Sequence, residues 1–458
     1  MDTSFGLNKK SQAITLIVIL SSFIGIIIVF AFGATSNIYL MAFLALVLFI
    51  ISFVNTDIAI IFIILSTFLL PAVKIGQTTL RELTIRPEDV LLLVVIAGWI
   101  AKMAIYKEIA FLKHTRLNKP IIAYSMLCLA STFLALADGR KNPQDAFFYL
   151  LKYFEYFLLF FMVVNNCKSA SQAKRFINFL LLTFLLVSLL GLQQIPGGVR
   201  VSAPIGENEP NTLSGYFILM IALNLGLLLH AQSGTKRLLY FFLFALSFLP
   251  FLFTLSRGGM FAFLPMLFTL ILFTKKLKIP LMITAILFVV GLPVLLPSVV
   301  QRRLKDTFAP ETNISVMGKK IPLSESASAR LNSWNYAFAN LKEHPLVGVG
   351  VPGGGVVDGQ FPRVLMEVGL TGLAFFLWII SALFKIGFLS YRNTTHNPFM
   401  QGISLGFIAG VTGLLFHSLS AATFIIIRIM QPFWILAGVI AVLPEIEKEN
   451  LESVPEST

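Results

Sequence analysis

The feature that most constrains this chain is the length of its apolar runs, the first of which extends from residue 14 to residue 32 without a charged side chain. One helical crossing of a bilayer takes about 20 apolar residues. Hydrophobic residues make up 57% of the 458 residues and charged residues 12%, and the mean hydropathy is +0.86. These values exclude a water-soluble enzyme and a disordered chain. An outer-membrane barrel is also excluded, because its strands alternate polar and apolar residues.

Apolar windows bounded by charged residues, prolines and glycines predict fourteen membrane helices. They lie near residues 14–33, 37–54, 57–73, 88–106, 120–137, 147–165, 174–195, 212–231, 236–254, 258–274, 280–299, 364–388, 401–420 and 423–443. The first two and the last two form tight pairs, so twelve spans is the alternative number. The predicted fold class is therefore an all-α, polytopic transmembrane bundle of 12–14 spans.

The distribution of basic residues predicts the orientation of this bundle. With the amino terminus in the cytoplasm, the short inside segments carry about twice as many Lys and Arg as the short outer loops, which is the positive-inside pattern. The predicted order is transmembrane helices within 1–299, a long extracytoplasmic loop at 300–361, further helices within 362–445, and a disordered cytoplasmic tail at 446–458. We therefore expect a cytoplasmic (inner) membrane protein with both termini inside.

The net charge and the positions of the cysteines and histidines limit which ligands and partners the chain is expected to bind. A net charge of +13 would suggest nucleic acid for a soluble protein, but here it matches topology and anionic membrane lipids, so nucleic acid is not an expected partner. The two cysteines and five histidines show no metal-ligand spacing. We expect no metal and no cofactor.

Two outer-face arginines are candidates for binding an anion. Arg200 lies in the polar loop before a helix that begins near Pro210 and Asn211, where a helix cap is an equally good interpretation of the loop. Arg257, in Thr254-Leu-Ser-Arg-Gly-Gly259, lies between two apolar runs with almost no loop. A guanidinium at that depth is costly unless it faces a partner or a wet cavity. The alternative is an arginine that reaches the membrane interface.

The long outer loop contains an amphipathic helix and one acidic candidate, and a second acidic candidate lies at the start of the span that follows. Leu331, Trp334, Phe338 and Leu341 recur at helical spacing, with Ser324 or Ser326 as the cap and Arg330 in the first turn. For Arg330, a solvated salt bridge is as good an interpretation as a contact with a ligand. After a glycine-rich run, which by itself is weak evidence for phosphate binding, come two acidic residues. Asp358 and Glu367 could each act as a general base. For Glu367, an ion pair with Arg363 four residues earlier is at least as good an interpretation.

Other charged residues within the spans have structural interpretations. Lys152 and Glu155 are three residues apart on one helix face and are expected to pair with each other. His417 and Arg428, near the outer ends of the last two spans, are additional candidates, although a lone histidine at such a place is more often a packing residue.

Taken in order, these motifs resemble the O-antigen ligase and O-antigen polymerase superfamily. The resemblance spans roughly residues 190–380 and is carried by the following motifs: Arg200, Pro210-Asn211, Gly215-Tyr216, Ser256-Arg-Gly-Gly259, Arg330, Trp334, His344-Pro-Leu346, Gly348-Val-Gly350, Asp358, Gln360-Phe361 and Glu367-Val-Gly-Leu-Thr-Gly372. It implies transfer of a glycan from an undecaprenyl-pyrophosphate carrier to a glycan or lipid acceptor, by an inverting, metal-independent route on the outer face.

The resemblance also implies roles for individual residues. Arg200 and Arg257 match the arginines that are thought to hold the pyrophosphate. Arg330 would assist them, and Asn211, Ser256 and Gln360 would support the site. Ligases of the family often carry a histidine as the base before the span that begins here at Pro362, whereas this chain has Asp358 there.

This departure favours a polysaccharide polymerase, with a chain-length regulator as a further partner. Transfer to a lipid A core or to protein hydroxyls is the alternative within the same chemistry. A transporter of lipid-linked glycans is the alternative from another class, but internal repeats and broken helices, which are typical of transporters, are not evident in the sequence.

Overall fold

The computed structural model describes residues 38–69, 73–77, 82–85, 87–106, 113–198, 200–203, 209–274, 278–295, 312–316, 319–323, 325–353 and 357–452. Within these residues, eight helices are long and apolar enough to cross a membrane, and shorter apolar helices accompany them. The chain is a multi-pass helical membrane protein, and the predicted fold class is confirmed. The predicted helix at 14–33 lies outside the described residues.

The helices and strands of the described residues follow one another in a single order along the chain. They are α1 Ile38–Val54, α2 Thr56–Leu69, β1 Val73–Gln77, β2 Glu82–Ile85, α3 Pro87–Ile105, α4 Asn118–Ala137, α5 Pro143–Asn166, α6 Ala170–Gln194, α7 Pro210–His230, α8 Gly234–Phe253, α9 Arg257–Phe273, α10 Lys278–Leu295, β3 Thr312–Val316, β4 Lys319–Leu323, α11 Glu325–Glu343, α12 Gln360–Asn393, α13 Pro398–His417 and α14 Ile427–Glu452. The strands form two antiparallel hairpins, β1 with β2 and β3 with β4. Neither hairpin was anticipated from the hydropathy pattern.

The centre of the bundle is α7, which is buried along nearly its whole length between α13, α8 and α9. Glycines allow α7 and α13 to approach closely: a Cβ on Gly226 would lie 2.3 Å from the backbone oxygen of Gly402. In a membrane, where apolar surface is already solvated by lipid, such close packing is a main source of helix association. The two helices that flank the Ser256-Arg257 turn are thus anchored to a tightly packed centre.

One helix departs from the prediction by being interrupted. In α12, Gly369 has φ of 68° and ψ of −164°, so the first segment of this helix is set off from the rest. The amides of Leu370 and Thr371 donate to the carbonyls of Pro345 and Leu346. The expectation of unbroken spans was therefore wrong for α12, because backbone from the preceding loop takes the place of intrahelical partners.

The glycine-rich run before α12 has a packing role in this arrangement. The amides of Val349 and Gly350 donate to the carbonyls of Met366 and Glu367 at 2.8 and 2.9 Å. A Cβ on Gly348, whose φ is 68°, would lie 2.5 Å from this same backbone. Glycine is required at this crossing of two backbone segments, which accounts for its presence here without a phosphate.

The carboxyl-terminal tail also differs from the prediction. Residues 446–452 were expected to be disordered, but α14 continues to Glu452, and Ile446 and Glu447 are buried. The apolar face of α14 extends past the membrane span through Val442 and Leu443 to Ile446, so packing carries the helix onward. Residues 453–458 lie outside the described part of the chain.

Candidate functional site

The candidate site is built on the tight turn between α8 and α9. Leu255 has a positive φ of 51°, a backbone conformation that is uncommon for a non-glycine residue. Ser256 then caps α9, because its Oγ accepts a hydrogen bond from the Gly259 amide at 3.3 Å. Arg257 is the first residue of α9 and is half-buried. The turn places a guanidinium beside the amino-terminal end of a helix, where the helix dipole adds a partial positive charge.

Arg200 stabilises this turn directly. Its Nε donates to the Thr254 carbonyl at 3.0 Å and its Nη2 to the Leu255 carbonyl at 3.3 Å. The Val201 amide donates to the carbonyl of Phe253, so the loop before α7 follows the end of α8. Arg200 and Arg257, separated by more than fifty residues in sequence, therefore lie on the same turn.

Asn211 connects this turn to the start of α7. Its Oδ1 accepts a hydrogen bond from Ser256 Oγ at 3.0 Å. The helix begins at Pro210, as predicted, and Glu209 precedes it without making a side-chain cap. Two residues implied only by the family resemblance, Asn211 and Ser256, are thus in contact.

The glycines after Arg257 allow two neighbouring helices to approach α9. A Cβ on Gly258 would lie 1.9 Å from Ser420 Oγ, and one on Gly259 would lie 1.7 Å from Ser214 Oγ. These two glycines are therefore needed for packing against the end of α13 and against α7.

His417 is the most deeply buried titratable residue of this region. It is 0% exposed, and its Nδ1 lies 2.8 Å from Thr423 Oγ1. Gly215 of α7 packs against its ring, and Arg330 and Asn211 are its electrostatic neighbours. The sequence marked His417 as an additional candidate but favoured a packing role; only the packing of α7 against α13 places it beside two predicted site residues.

Arg330 and Asp358 come to the same end of the bundle through α11. The predicted amphipathic helix is confirmed, and it begins at Glu325, directly after Ser324. Trp334 Nε1 donates to the Asp358 carbonyl at 2.8 Å, and the Asp358 amide donates to Ser333 Oγ at 3.3 Å. These bonds hold the Asp358 backbone and leave its side chain exposed.

Arg330, in the first turns of α11, is half-buried. Its Nε is buried and has no hydrogen-bond partner among the described residues. A buried donor without a partner costs about 1–3 kcal/mol. Arg330 is therefore suited to a ligand oxygen that would accept this bond.

Gln360 joins the start of α12 to the segment after α13. Its amide donates to the Ser418 carbonyl at 2.9 Å, and its Oε1 accepts from the Phe424 amide at 2.9 Å. The side chain is 1% exposed. Gln360 thereby fixes the position of the adjacent Asp358 relative to His417.

Glu367 lies two turns into α12 and is enclosed by donors. Its carboxylate accepts hydrogen bonds from Tyr153 Oη at 2.5 Å, Arg363 Nε at 2.9 Å and the Gly353 amide at 3.2 Å. The ion pair with Arg363 that the spacing indicated is confirmed. Glu367 is 1% exposed, whereas Asp358 is open to solvent. This environment suits Glu367 to a structural task better than to proton transfer with a substrate.

Lys141 adds a positive charge near Glu367. It lies in the loop between α4 and α5, outside the spans. Burial lowers the pKa of Lys141, the Glu367 carboxylate opposes this shift, and Arg140 adds to it. The loop between α4 and α5 therefore lies at the same end of the bundle as the candidate site.

Two other charges lie deep in the bundle. Arg428 is 0% exposed, and its guanidinium carbon lies 5.5 Å from the centre of the Phe68 ring. Glu155 is 1% exposed on α5, which packs against α14. Its pairing with Lys152 stays a prediction. In the described part of the chain, no group of three or more His, Cys, Asp or Glu is arranged to hold a metal ion.

Comparison with known proteins identifies one segment. A family model described as O-antigen ligase matches residues 242–417, from the middle of α8 to the last residue of α13. The matched segment includes Ser256, Arg257, Arg330, Asp358 and His417, whereas Arg200 and Asn211 precede it. No curated protein matches the chain.

Proposed function

We propose that this chain, of which residues 242–417 match a family model described as O-antigen ligase, transfers a glycan from an undecaprenyl-pyrophosphate carrier to a growing surface polysaccharide. The single observation that carries this proposal is the convergence of Arg200, Arg257 and Arg330 at one end of the bundle. Three guanidinium groups at a membrane surface match a lipid-linked diphosphate in charge and geometry.

The three arginines would have different roles in binding the diphosphate. Arg257, at the amino-terminal end of α9, and Arg330, with its buried Nε, would contact the diphosphate oxygens. Arg200 donates two hydrogen bonds to the turn and would mainly hold Arg257 in place. As the sugar leaves the carrier, negative charge develops on the diphosphate, and preorganised donors lower the barrier for this step.

Asp358 is the proposed base. Its carboxylate is exposed, and its backbone is held by Ser333 and Trp334. It would accept the proton of the acceptor hydroxyl while that oxygen attacks the anomeric carbon. The bond from the anomeric carbon to the phosphate oxygen then breaks, its electron pair stays on the diphosphate, and the configuration inverts. Glu367 would support this arrangement by holding Arg363 and the Gly353 loop.

The catalytic end is proposed to face the outside of the cytoplasmic membrane, with both termini in the cytoplasm. The break in α12 does not favour the transporter alternative. The amides freed at Gly369 are taken by the carbonyls of Pro345 and Leu346, so this break does not leave open backbone for a transported substrate.

The test is an assay of purified protein with a lipid-linked repeat unit. A polymerase yields a ladder of products, and a ligase yields a single addition to a lipid core or a protein. Arg257→Ala should lower the rate roughly 100-fold, the scale of losing one donor to a developing anion. Arg200→Lys keeps the charge but loses the forked donor, so it should also be impaired.

A matched control is available at the opposite end of the bundle. Arg175 near the start of α6 pairs with Asp57 at 3.1 Å, away from the candidate site. Arg175→Ala should retain activity. If Arg257→Ala and Arg200→Ala both leave chain length and yield intact, the site assignment is wrong. If lipid-linked glycan moves across the bilayer without a new glycosidic bond, the transporter alternative replaces this proposal.

A further inference from the structure

A cavity lies outside the candidate site, beside the lipid-facing side of α8. It has a volume of about 410 Å³ and is bounded by α7, α8, α9 and α10. Its walls are almost entirely apolar, and they include Leu225, Leu228, Leu238, Phe241, Leu267 and Leu281. We call this cavity the α8 groove.

The groove opens towards the hydrocarbon of the membrane. Leu238 is 68% exposed and Phe241 56%, whereas Leu267 on the far wall is 0% exposed and Leu281 is 7% exposed. An apolar cleft of this size is within the usual range for small-molecule sites, about 300–1,000 Å³. Because its mouth is made of apolar side chains, the groove suits a hydrocarbon chain better than a water-soluble molecule.

One end of the groove is positively charged. Arg237, in the first turn of α8, lines it and is exposed, and it donates a hydrogen bond to the Ala231 carbonyl at 3.3 Å. Lys236 is adjacent, and Lys278 is the first residue of α10, which forms the opposite wall. Helices α8 and α10 both begin at this end, so their dipoles add to the positive potential.

The position of Arg237 along α8 separates this groove from the candidate site. The end of α8 at Phe253 is sixteen residues further along the helix than Arg237, which is roughly 24 Å at 1.5 Å per residue. The hydrocarbon core of a bilayer is about 30 Å thick. Arg237 therefore lies near the membrane surface opposite the one where Arg257 lies.

We propose that the α8 groove binds an anionic phospholipid, with an acyl chain along the apolar walls and the phosphate at Arg237. The charge selects the headgroup, since a basic residue near a membrane surface attracts anionic lipid. The apolar walls select a lipid over a free phosphate. This site is independent of the glycan chemistry, and its lipid belongs to the other leaflet.

The test uses the full-length protein, purified and stripped of lipid, with phosphatidylglycerol and phosphatidylcholine of identical acyl chains. Native mass spectrometry should show binding of phosphatidylglycerol in preference, by about fivefold for each engaged basic residue. Arg237→Gln should lower this preference about fivefold without reducing phosphatidylcholine binding. Arg175→Gln, a change at another cytoplasmic-side arginine, is the matched control and should keep the preference.

Filling the groove tests the apolar half of the proposal. Leu281→Trp should lower the binding of both phospholipids at least fivefold. If that variant does not fold, a phosphatidylglycerol with a photoreactive acyl chain decides the matter, and the expected crosslinks fall on α8 and α10. Crosslinks elsewhere overturn the proposal.

Competition experiments with two other compounds distinguish an anionic phospholipid from other occupants of the α8 groove. Glycerol phosphate, which lacks a chain, should not displace phosphatidylglycerol; displacement would show a headgroup site without a groove. Undecaprenyl phosphate should compete no better than phosphatidylglycerol; stronger competition would assign the groove to the prenyl chain. Equal binding of the two phospholipids by the wild-type protein would also refute the proposal.

Discussion

The buried ion pair between Arg363 and Glu367 gives the sharpest test of how α12 is held. Their side chains are 10% and 1% exposed, and Arg363 Nε lies 2.9 Å from Glu367 Oε1. The substitution Glu367→Gln removes the charge but can keep the hydrogen bonds. Its amide oxygen can accept from Arg363 and Gly353, while Tyr153 Oη can turn to accept from the new amide. The change therefore isolates the charge.

Leaving a buried charge without its partner costs about 3–5 kcal/mol. Glu367→Gln and Arg363→Gln should each lower the free energy of unfolding by about this amount. The double variant should lose less than the sum of the two, because a neutral amide pair leaves no buried charge behind. The two single variants and the double variant form a double-mutant cycle, whose coupling energy measures the interaction between Arg363 and Glu367.

The assay can use the two native cysteines of the described chain. Cys128 and Cys167 are free, and both are buried at 1% and 0% exposure. Burial raises the pKa of Cys167 to about 12, so the folded protein should react slowly with a maleimide dye at pH 8, and fluorescence should rise on unfolding. The midpoint temperature of this rise measures stability.

A pair with the same spacing serves as the control. Lys448 and Glu452 are also four residues apart, but their side chains are 76% and 66% exposed. Lys448→Gln should change the stability by less than about 1 kcal/mol. If Glu367→Gln is no more destabilising than Lys448→Gln, the argument for a structural Glu367 is refuted. A double variant that is stable but inactive would instead assign Glu367 to the chemistry.

Further predictions concern the packing and docking of the site. Gly259→Ala should destabilise the protein by about 1–3 kcal/mol, because its Cβ would lie 1.7 Å from Ser214 Oγ; adding Ser214→Gly should restore most of the loss, measured by the same thermal assay. Gly234→Ala, where a Cβ meets nothing within 4 Å, should be neutral. Trp334→Phe loses the bond to the Asp358 carbonyl, worth about 0.5–1.5 kcal/mol, and should speed proteolysis of the loop before α12; unchanged cleavage would show that this bond does not hold α11.

Much of the fold could be predicted because membrane helices are local. A helix satisfies its own backbone, and in lipid it must do so. The apolar windows therefore located most of the described spans to within about five residues, α14 being the exception because it continues to Glu452. The spacing of apolar residues alone predicted α11. The break at Gly369 was not visible, because the partners of the freed amides come from the loop at Pro345 and Leu346, more than twenty residues away.

The sequence predicted which residues belong to the candidate site, but not how they are arranged in space. The sequence indicated Arg200, Arg257 and Arg330 as outer-face cations. For Arg257, which lies between two apolar runs, the cost of burying a charge predicted a binding partner. Their convergence depends on contacts between helices, such as Ser256 with Asn211, that no local pattern encodes. For the same reason, the sequence left the tasks of Asp358 and Glu367 open, whereas the structure separates an exposed carboxylate from an enclosed one.

By itself, the sequence determined that the chain lies in a membrane, that it is helical and which charged residues are candidates for the site. These properties follow from composition and from the spacing of residues along one helix. The tertiary structure decided which charges meet. Glu367 is held within α5, α12 and the glycine-rich loop. His417 packs against Gly215 of α7 and Gly258 of α9, because these glycines let the two helices approach α13 closely. Burial and pairing are properties of several segments together, so they exist only once the helices have packed.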